Sequence, residues 1–250
     1  MVHRRARGPA LVIAATLNLR DCPVFHLMVI TDRHRLLEAL QVPASEGLSC
    51  LIAQVEGALR GGADLVYLRE PDLTVREVMV VVGAVLERVP DAQRRLLVRD
   101  RVDVATSLGV GVHLPEQGMS VAQARTLRAG EASPALVGRS VHTPQSAAGS
   151  RGATYLVAGT VKATPSKPGL ACPLGLSGLR AISEAAGETP VLGVGGLGTA
   201  DIDDLRQSGA RGLAAIGLFI PTRICTDVTE WTIQRLIHVR NCVDSVKWPT

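Results

Sequence analysis

Residues 96–114 read LLVRDRVDVATSLGVGVHL and contain a complete strand–helix–strand pattern. The largely apolar runs at residues 96–99 and 111–114 lack polar alternation, which is typical of parallel strands that are buried on both faces. Residues 101–108 between them have helical character, and Gly109 follows in the position of a helix-ending glycine. The segment therefore predicts a β–α–β unit.

The same unit repeats in both directions along the chain. Further apolar runs predict strands at residues 27–31, 65–68, 135–138, 155–159, 191–194 and 213–216. Amphipathic segments predict helices at residues 47–60, 73–88, 121–128, 176–186, 199–208 and 227–239, with a short one at 144–149. Eight strands that alternate with helices predict an α/β protein with a single (β/α)8 TIM barrel.

The composition is that of an ordinary globular protein. A chain of 250 residues with 46% hydrophobic and 20% charged residues can bury the core of one domain, and no Pro/Ser-rich linker divides it. No apolar run approaches the roughly 20 residues that span a bilayer, so we expect no membrane partner. Five cysteines without a C-x-x-C pair predict free thiols and a reducing, cytoplasmic location.

The net charge of +4 is concentrated at the N-terminus. Residues 1–25 carry four arginines and one aspartate, which leaves +1 for the remaining 225 residues. A basic tip on a near-neutral body does not indicate a nucleic-acid partner. We expect a disordered extension over residues 1–25 and the barrel over residues 26–250; residues 4–17 imitate a signal peptide but lack a clean cleavage site.

In such a barrel, the loops after the strand C-termini form the active site. The candidate substrate-binding and catalytic residues in the first six of these loops are Tyr67, Arg69, Arg99, Asp100, Ser140, His142, Thr164, Ser166 and Lys167. The seventh and eighth loops offer Gly195, Gly196 and Gly217 instead, and their backbone N–H groups could approach an anion closely. We therefore expect a small-molecule phosphate as the ligand; the alternative is that these glycines only permit tight turns.

His142 is the candidate for acid–base catalysis, because histidine can take up and release a proton near neutral pH. A purely structural hydrogen bond is its alternative role. His113 lies inside a predicted strand, so we expect it to be packed and hydrogen-bonded. Asp100 alone is a weak metal site, so no metal is expected.

Six short motifs occur in order along the chain: LVYLRE at 65–70, RDRVDV at 99–104, GVHL at 111–114, GRSVHT at 138–143, TPSK at 164–167 and VGG at 194–196. Together they resemble the family that contains thiamine-phosphate synthase and the thiazole tautomerase. The resemblance runs from about His26 to Ile220 and implies a single (β/α)8 barrel that binds a thiazole phosphate. It also implies an enzyme of thiamine biosynthesis.

The synthase joins hydroxymethylpyrimidine diphosphate to thiazole phosphate and releases pyrophosphate with Mg²⁺. This chain departs from the synthase pattern at four positions. Tyr67 replaces a glutamine, Pro71 a lysine, Arg99 an asparagine and Gly118 a second metal-ligating aspartate. The residues that still match the synthase are Arg69, Asp100, Ser140, Thr164 and Lys167.

The tautomerase moves a proton to make the ring of a carboxylated thiazole phosphate aromatic, and it needs no metal. The resemblance in GRSVH implies that His142 moves the proton, that Gly196 and Gly217 hold the phosphate, and that Arg69 orients the carboxylate. We expect this isomerase reaction, without a cofactor.

Three alternatives stay open. The first is the synthase, a transferase, with Mg²⁺ at Asp100. The second is a non-catalytic sensor of a phosphate ligand, because fold alone does not establish catalysis. The third is an aldolase that forms a Schiff base at Lys162 or Lys167. A homo-oligomer is also left open.

Overall fold

A computed structural model describes residues 25–130, 136–164 and 172–246, and in this part of the chain eight parallel strands form a closed barrel. The strands are β1 (His26–Ile30), β2 (Leu65–Leu68), β3 (Leu96–Arg99), β4 (Gly111–Leu114), β5 (Val137–Val141), β6 (Tyr155–Gly159), β7 (Val191–Val194) and β8 (Gly212–Ala215). Each strand pairs with the next, and β8 closes the barrel on β1 with Leu213 opposite Leu27. The predicted (β/α)8 fold is confirmed.

The helices lie outside the barrel, as the β–α–β pattern requires. Within the described ranges they are α1 (Arg33–Leu40), α2 (Gly47–Arg60), α3 (Val75–Arg88), α4 (Val102–Leu108), α5 (Val121–Leu127), α6 (Pro144–Ala148), α7 (Gly175–Ala186), α8 (Ile202–Gln207) and α9 (Val228–Ser245). The sequence did not predict α1. The predicted helix 199–208 is a 3-10 turn, Thr199–Asp201, followed by α8.

Two layers of apolar side chains hold the barrel together. One layer lies between the strands and the helices, and includes Leu27, Val66 and Leu68. The other fills the barrel interior and includes Met28, Tyr67 and Tyr155. Since the interior is filled by side chains, it leaves no room for a ligand between the strands, and the mouth of the barrel is the place to look for a site.

Several sequence predictions fall partly or wholly outside the described residues, among them the first residue of the strand predicted at 135–138. Residues 1–24, almost all of the predicted extension, lie outside them, whereas Phe25 is fully buried. Ser166 and Lys167 also lie outside them.

In the part of the chain that is described, no helix combines the length and apolar character needed to cross a membrane.

Candidate active site

Two adjoining cavities open at the C-terminal ends of the strands. The central cavity has a volume of about 260 Å³, and its lining includes side chains from the ends of β1 to β7. The glycine cavity, with a volume of about 290 Å³, lies beside β7 and β8 and is lined by Gly195, Gly196 and Gly217. Val194 and Ile216 line both cavities, so one elongated ligand could occupy them together.

Most of the predicted site residues that the structure describes line one of these two cavities. The central cavity is lined by Tyr67, Arg69, Arg99, Ser140 and His142. The glycine cavity contains Thr164 together with the three glycines.

Asp100 lines neither of these two cavities. It lies in a smaller neighbouring pocket of about 130 Å³, the Asp100 pocket, which Arg99 also lines. Arg99 therefore borders both the central cavity and the Asp100 pocket, whereas Asp100 borders the Asp100 pocket.

Two positions in the backbone of the glycine cavity can be occupied only by glycine. Gly195 and Gly196 have φ values of +99° and +63°. A Cβ atom on Gly195 would lie 2.5 Å from Thr160 Cγ2, and one on Gly196 would lie 2.5 Å from the carbonyl oxygen of Ala163. Among the described residues, no backbone carbonyl accepts a hydrogen bond from the N–H of Gly196 or Gly217. These N–H groups are suited to an anionic ligand.

An ion pair beside the glycine cavity connects the loop after β6 to the turn after β7. Lys162 Nζ lies 2.5 Å from Asp201 Oδ1, and the other oxygen of Asp201 accepts a hydrogen bond of 2.7 Å from the N–H of Gly198. The hydrogen bond to Asp201 raises the pKa of Lys162. Because a Schiff base requires a neutral amine, this ion pair argues against Lys162 as an aldolase lysine.

Arg35 is a site residue that the sequence analysis missed. It lies in the first turn of α1 and lines the glycine cavity. Its Nη2 atom is 3.7 Å from the position of a Cβ atom on Gly217. No described residue forms an ion pair or side-chain hydrogen bond with its guanidinium, so the charge is available to an anion. The sequence signal was the run of charged residues that directly follows β1.

Glu116, on the loop after β4, orients His142. Its Oε2 atom lies 2.7 Å from His142 Nδ1, and its Oε1 atom accepts a hydrogen bond of 3.0 Å from the backbone N–H of His142. Burial alone would raise the pKa of Glu116, but hydrogen bonds from Ser146 and His142 outweigh it and lower the pKa. An ionised carboxylate only accepts hydrogen bonds, so Nδ1 carries the proton of a neutral His142. Among the described residues Nε2 has no hydrogen-bond partner, so it can accept a proton from a ligand.

The wall of the central cavity at the ends of β2 and β3 is cationic. Arg69 and Arg99 both line it, and the backbone N–H of Arg69 donates a hydrogen bond of 3.0 Å to Thr31 Oγ1. The next residue, Glu70, is buried and accepts hydrogen bonds of 3.0 and 3.2 Å from the N–H of Arg33. These bonds tie the loop after β2 to the loop after β1 and so fix the position of Arg69.

His113 is buried and hydrogen-bonded, as its place in a predicted strand indicated. Its ring nitrogens lie 2.9 Å from Tyr155 Oη and 2.9 Å from Ser140 Oγ. Tyr67 packs against it with ring centroids 4.4 Å apart, and burial raises the pKa of Tyr67 to about 12.

The residues around Asp100 do not fit a Mg²⁺ ion that is held by two protein carboxylates. No group of three or more His, Cys, Asp or Glu side chains suited to a metal occurs among the described residues. A Cβ atom on Gly118 would lie 3.5 Å from Asp100 Oδ1, so a side chain at this position would reach Asp100. Glycine provides no carboxylate at this position, and the other carboxylate that lines the Asp100 pocket, Glu70, accepts hydrogen bonds from the N–H of Arg33.

The closed (β/α)8 barrel places this protein in the class of TIM-barrel proteins, and its cavities, lined in part by charged and polar side chains, lie where barrel enzymes bind their substrates. The chain belongs to the thiamine monophosphate synthase family (TMP-TENI), whose model matches residues 27–219. The predicted family is therefore confirmed, and with it a role as an enzyme of thiamine biosynthesis.

Individual relatives carry the name of the synthase. A thiamine-phosphate synthase of Roseiflexus castenholzii is 37% identical over 196 residues, which cover 77% of this chain and 79% of that protein. A thiamine-phosphate synthase of Thermus thermophilus is 35% identical over 176 residues, which cover 68% and 81%. The structure of a thiamine phosphate pyrophosphorylase from Pyrococcus furiosus has a TM-score of 0.67 and 28% identity, and the match covers 91% of this chain and 98% of that one. These names favour the transferase alternative over the isomerase that we expected.

Proposed function

We propose that this protein is a thiazole tautomerase, an isomerase that makes the ring of a carboxylated thiazole phosphate aromatic by moving one proton. The observation that carries the proposal is the contact of 2.7 Å between His142 Nδ1 and Glu116 Oε2 in the central cavity. It provides an oriented base beside a cavity suited to a phosphate. The proposal follows the geometry of the site, whereas the names of the relatives support the synthase.

The two cavities match the two ends of the proposed substrate. The phosphate would bind the backbone N–H groups of Gly196 and Gly217, with Arg35 beside them. The thiazole ring would then reach the central cavity, and its carboxylate would bind Arg69 and Arg99. Ser166 and Lys167 belong to the same proposal through the family resemblance alone.

His142 would carry the proton. Its free Nε2 accepts a proton from one ring carbon, and the electron pair of the broken C–H bond shifts into the ring. The carboxylate of Glu116 stabilises the imidazolium that forms. The same proton is then returned to another ring position, so the reaction is a net isomerisation that consumes no oxidant, reductant or metal.

The synthase is the second candidate, since the names of the relatives favour it. The substitutions at Pro71, Arg99 and Gly118 argue against it, because neutralising the departing pyrophosphate supplies most of the catalysis of such a reaction. Because Gly118 provides no carboxylate beside Asp100 and Glu70 is bonded to the N–H of Arg33, we propose that no divalent metal is required.

One set of assays separates the candidates. Purified protein is incubated with carboxythiazole phosphate in a chelator, and in parallel with hydroxymethylpyrimidine diphosphate, thiazole phosphate and Mg²⁺. We expect the aromatic tautomer in the first reaction and at most a trace of thiamine phosphate in the second. Coupling at ordinary enzyme rates, about 10 s⁻¹ at the median, would establish the synthase instead. Thiazole phosphate binding without either reaction would indicate the sensor.

A further inference from the structure

A chain of hydrogen bonds links the barrel interior to the central cavity. It starts at Tyr155 on β6, which is fully buried, and passes through His113 on β4, which is 1% exposed. Tyr155 Oη lies 2.9 Å from His113 Nδ1, and His113 Nε2 lies 2.9 Å from Ser140 Oγ. Ser140 lines the central cavity, so the chain ends where a ligand would bind.

The rings of this chain are held in place from two sides. A Cβ atom on Gly138 would lie 2.1 Å from Tyr155 Cζ, so the glycine in β5 makes room for the phenol ring. On the other side, Tyr67 packs on the imidazole of His113 at 4.4 Å between ring centroids and 39° between planes. The imidazole therefore cannot turn without disturbing packed neighbours.

The two buried residues of this hydrogen-bond chain, Tyr155 and His113, are both neutral at physiological pH. Burial, assisted by the positive charge of Arg99, lowers the pKa of His113 to about 3. Burial also raises the pKa of Tyr155 well above its ordinary value. A neutral imidazole has one donor nitrogen and one acceptor nitrogen, so the hydrogen bonds must all run in one direction.

The burial of Tyr155 selects that direction. Among the described residues, His113 is the one hydrogen-bond partner of the Tyr155 hydroxyl. If Tyr155 donates to Nδ1, then Nε2 carries the proton and donates to Ser140 Oγ, and each buried donor has an acceptor. In the opposite direction, the Tyr155 proton would be buried without an acceptor, which is unfavourable.

We infer that Tyr155 and His113 are positioning residues that fix the Ser140 hydroxyl as a hydrogen-bond donor into the central cavity. Ser140 Oγ accepts from His113, and no other described residue accepts its proton. The ligand atom beside Ser140 must then be an acceptor, such as a carboxylate oxygen or a ring nitrogen.

The kinetic consequence of this donor rests on the proposed function. Removing the ring proton leaves negative charge on the substrate, and a preorganised donor stabilises that charge. The fully buried end of the chain at Tyr155 cannot exchange protons with solvent, so the chain orients Ser140 and does not replace His142 as the base.

Nitrogen-15 NMR of histidine-labelled full-length protein tests the direction of the hydrogen bonds. For His113 we expect a protonated Nε2, an unprotonated Nδ1 and no titration between pH 5 and 8. A Tyr155→Phe variant removes the hydroxyl, keeps the ring, and should change the His113 tautomer signals. A protonated Nδ1 in the wild type, a charged ring, or unchanged signals in the variant would overturn the inference.

Enzyme kinetics test the expected effect of the Ser140 donor on turnover. Ser140→Ala should lower kcat about 10²- to 10³-fold, the usual effect of removing one preorganised donor. Tyr155→Phe should lower kcat roughly 10-fold with little change in KM, since the donor is kept but no longer oriented. Thr232→Val removes another buried hydroxyl, within α9, and serves as the control with unchanged kcat and tautomer. An unchanged kcat in Tyr155→Phe would overturn the positioning role.

The failure of this inference can be distinguished from the failure of the proposed function. If the wild type does not catalyse tautomerisation, the proposed function is contradicted, and the NMR result still decides the direction of the hydrogen bonds.

Discussion

At the scale of single residues, catalysis is expected to depend on the imidazole of His142. A positioned general acid–base group contributes about 10²- to 10⁴-fold, so His142→Ala should lower the turnover of carboxythiazole phosphate by that factor. The Kd of thiazole phosphate should stay nearly unchanged, because the phosphate would be held in the glycine cavity. The measurement is kcat and Kd on the same variant.

The control for this prediction is His238→Ala, which removes an exposed imidazole on α9. Unchanged turnover in His142→Ala would remove His142 from the mechanism. A large loss of affinity with intact turnover would identify it as a binding residue instead.

A second prediction for a single residue concerns Glu116 and the pH dependence of the unfolding free energy. The pKa of Glu116 is lowered in the folded protein, since the hydrogen bonds from Ser146 and His142 outweigh burial. A carboxyl group of this kind stabilises the folded state above its unfolded pKa of about 4.3, and that contribution is lost as the pH falls through the lower folded value.

The measurement is urea unfolding of the wild type and of Glu116→Gln. The wild type should be the more stable at pH 7, and the difference in unfolding free energy should shrink as the pH falls below about 4. A difference that is constant with pH would mean that ionised Glu116 has no part in it. Turnover of Glu116→Gln should lie between that of the wild type and that of His142→Ala, because the amide still contacts His142 but no longer stabilises its positive charge.

At the scale of elements, the sequence predicted the strands well and one helix not at all. The bounds of β2, β3, β4, β6 and β7 agree with prediction, because buried parallel strands appear as uninterrupted apolar runs. Helix α1 begins with the charged residues Arg33, His34 and Arg35, which hide its helical pattern. It forms because Asp32 caps its N-terminus and Leu36 and Leu40 are buried.

The site was predictable one loop at a time but not across loops. Residues after a strand can be named from the sequence because the barrel directs them to one end. The pairing of Glu116 with His142 depends on how two separate loops meet, and they are 26 residues apart in the chain. Asp100 lies outside the central cavity and has a positive φ of +53°, a local backbone conformation that the sequence pattern did not indicate.

Helix α1 supplies the prediction at this scale. Arg35→Ala should weaken thiazole phosphate binding about 10- to 100-fold, the range for losing a charged hydrogen bond. Binding of the dephosphorylated thiazole alcohol should not change, which distinguishes loss of phosphate contact from damage to the fold. Arg76→Ala, on the exposed first turn of α3, is the matched control.

Calorimetry of both ligands with both variants measures these effects. Equal losses for the phosphate and the alcohol would show that Arg35 supports the cavity and does not contact the phosphate. Arg35→Lys should recover part of the affinity, because it keeps the charge but not the planar guanidinium.

At the scale of the whole molecule, three departures from the synthase pattern meet at one place. Pro71 and Arg99 both line the Asp100 pocket, although Pro71 lies in the loop after β2 and Arg99 is the last residue of β3. Gly118 belongs to a third loop, and a Cβ atom there would lie 3.5 Å from Asp100 Oδ1. Changes that are separate in the sequence thus alter one pocket of the barrel, beside the central cavity and apart from the glycine cavity. This is the arrangement expected if a thiazole phosphate site was kept while a site for a metal and pyrophosphate was lost.

Restoring these groups should therefore restore coupling. We expect the triple variant Pro71→Lys, Arg99→Asn and Gly118→Asp to form more thiamine phosphate than the wild type, and only with Mg²⁺. The new aspartate would provide a second carboxylate beside Asp100, and the new lysine would provide a charge for pyrophosphate. The matched control carries Gly118→Asn instead of Gly118→Asp, because asparagine has nearly the same shape as aspartate without the charge.

Tautomerisation should fall in both variants, because both lose Arg99 from the wall that would bind the carboxylate. Equal coupling by the Asp and Asn versions would show that the carboxylate pair is not the missing part. Wild-type coupling at ordinary rates would show that nothing was missing, and that the Asp100 pocket binds pyrophosphate in another way.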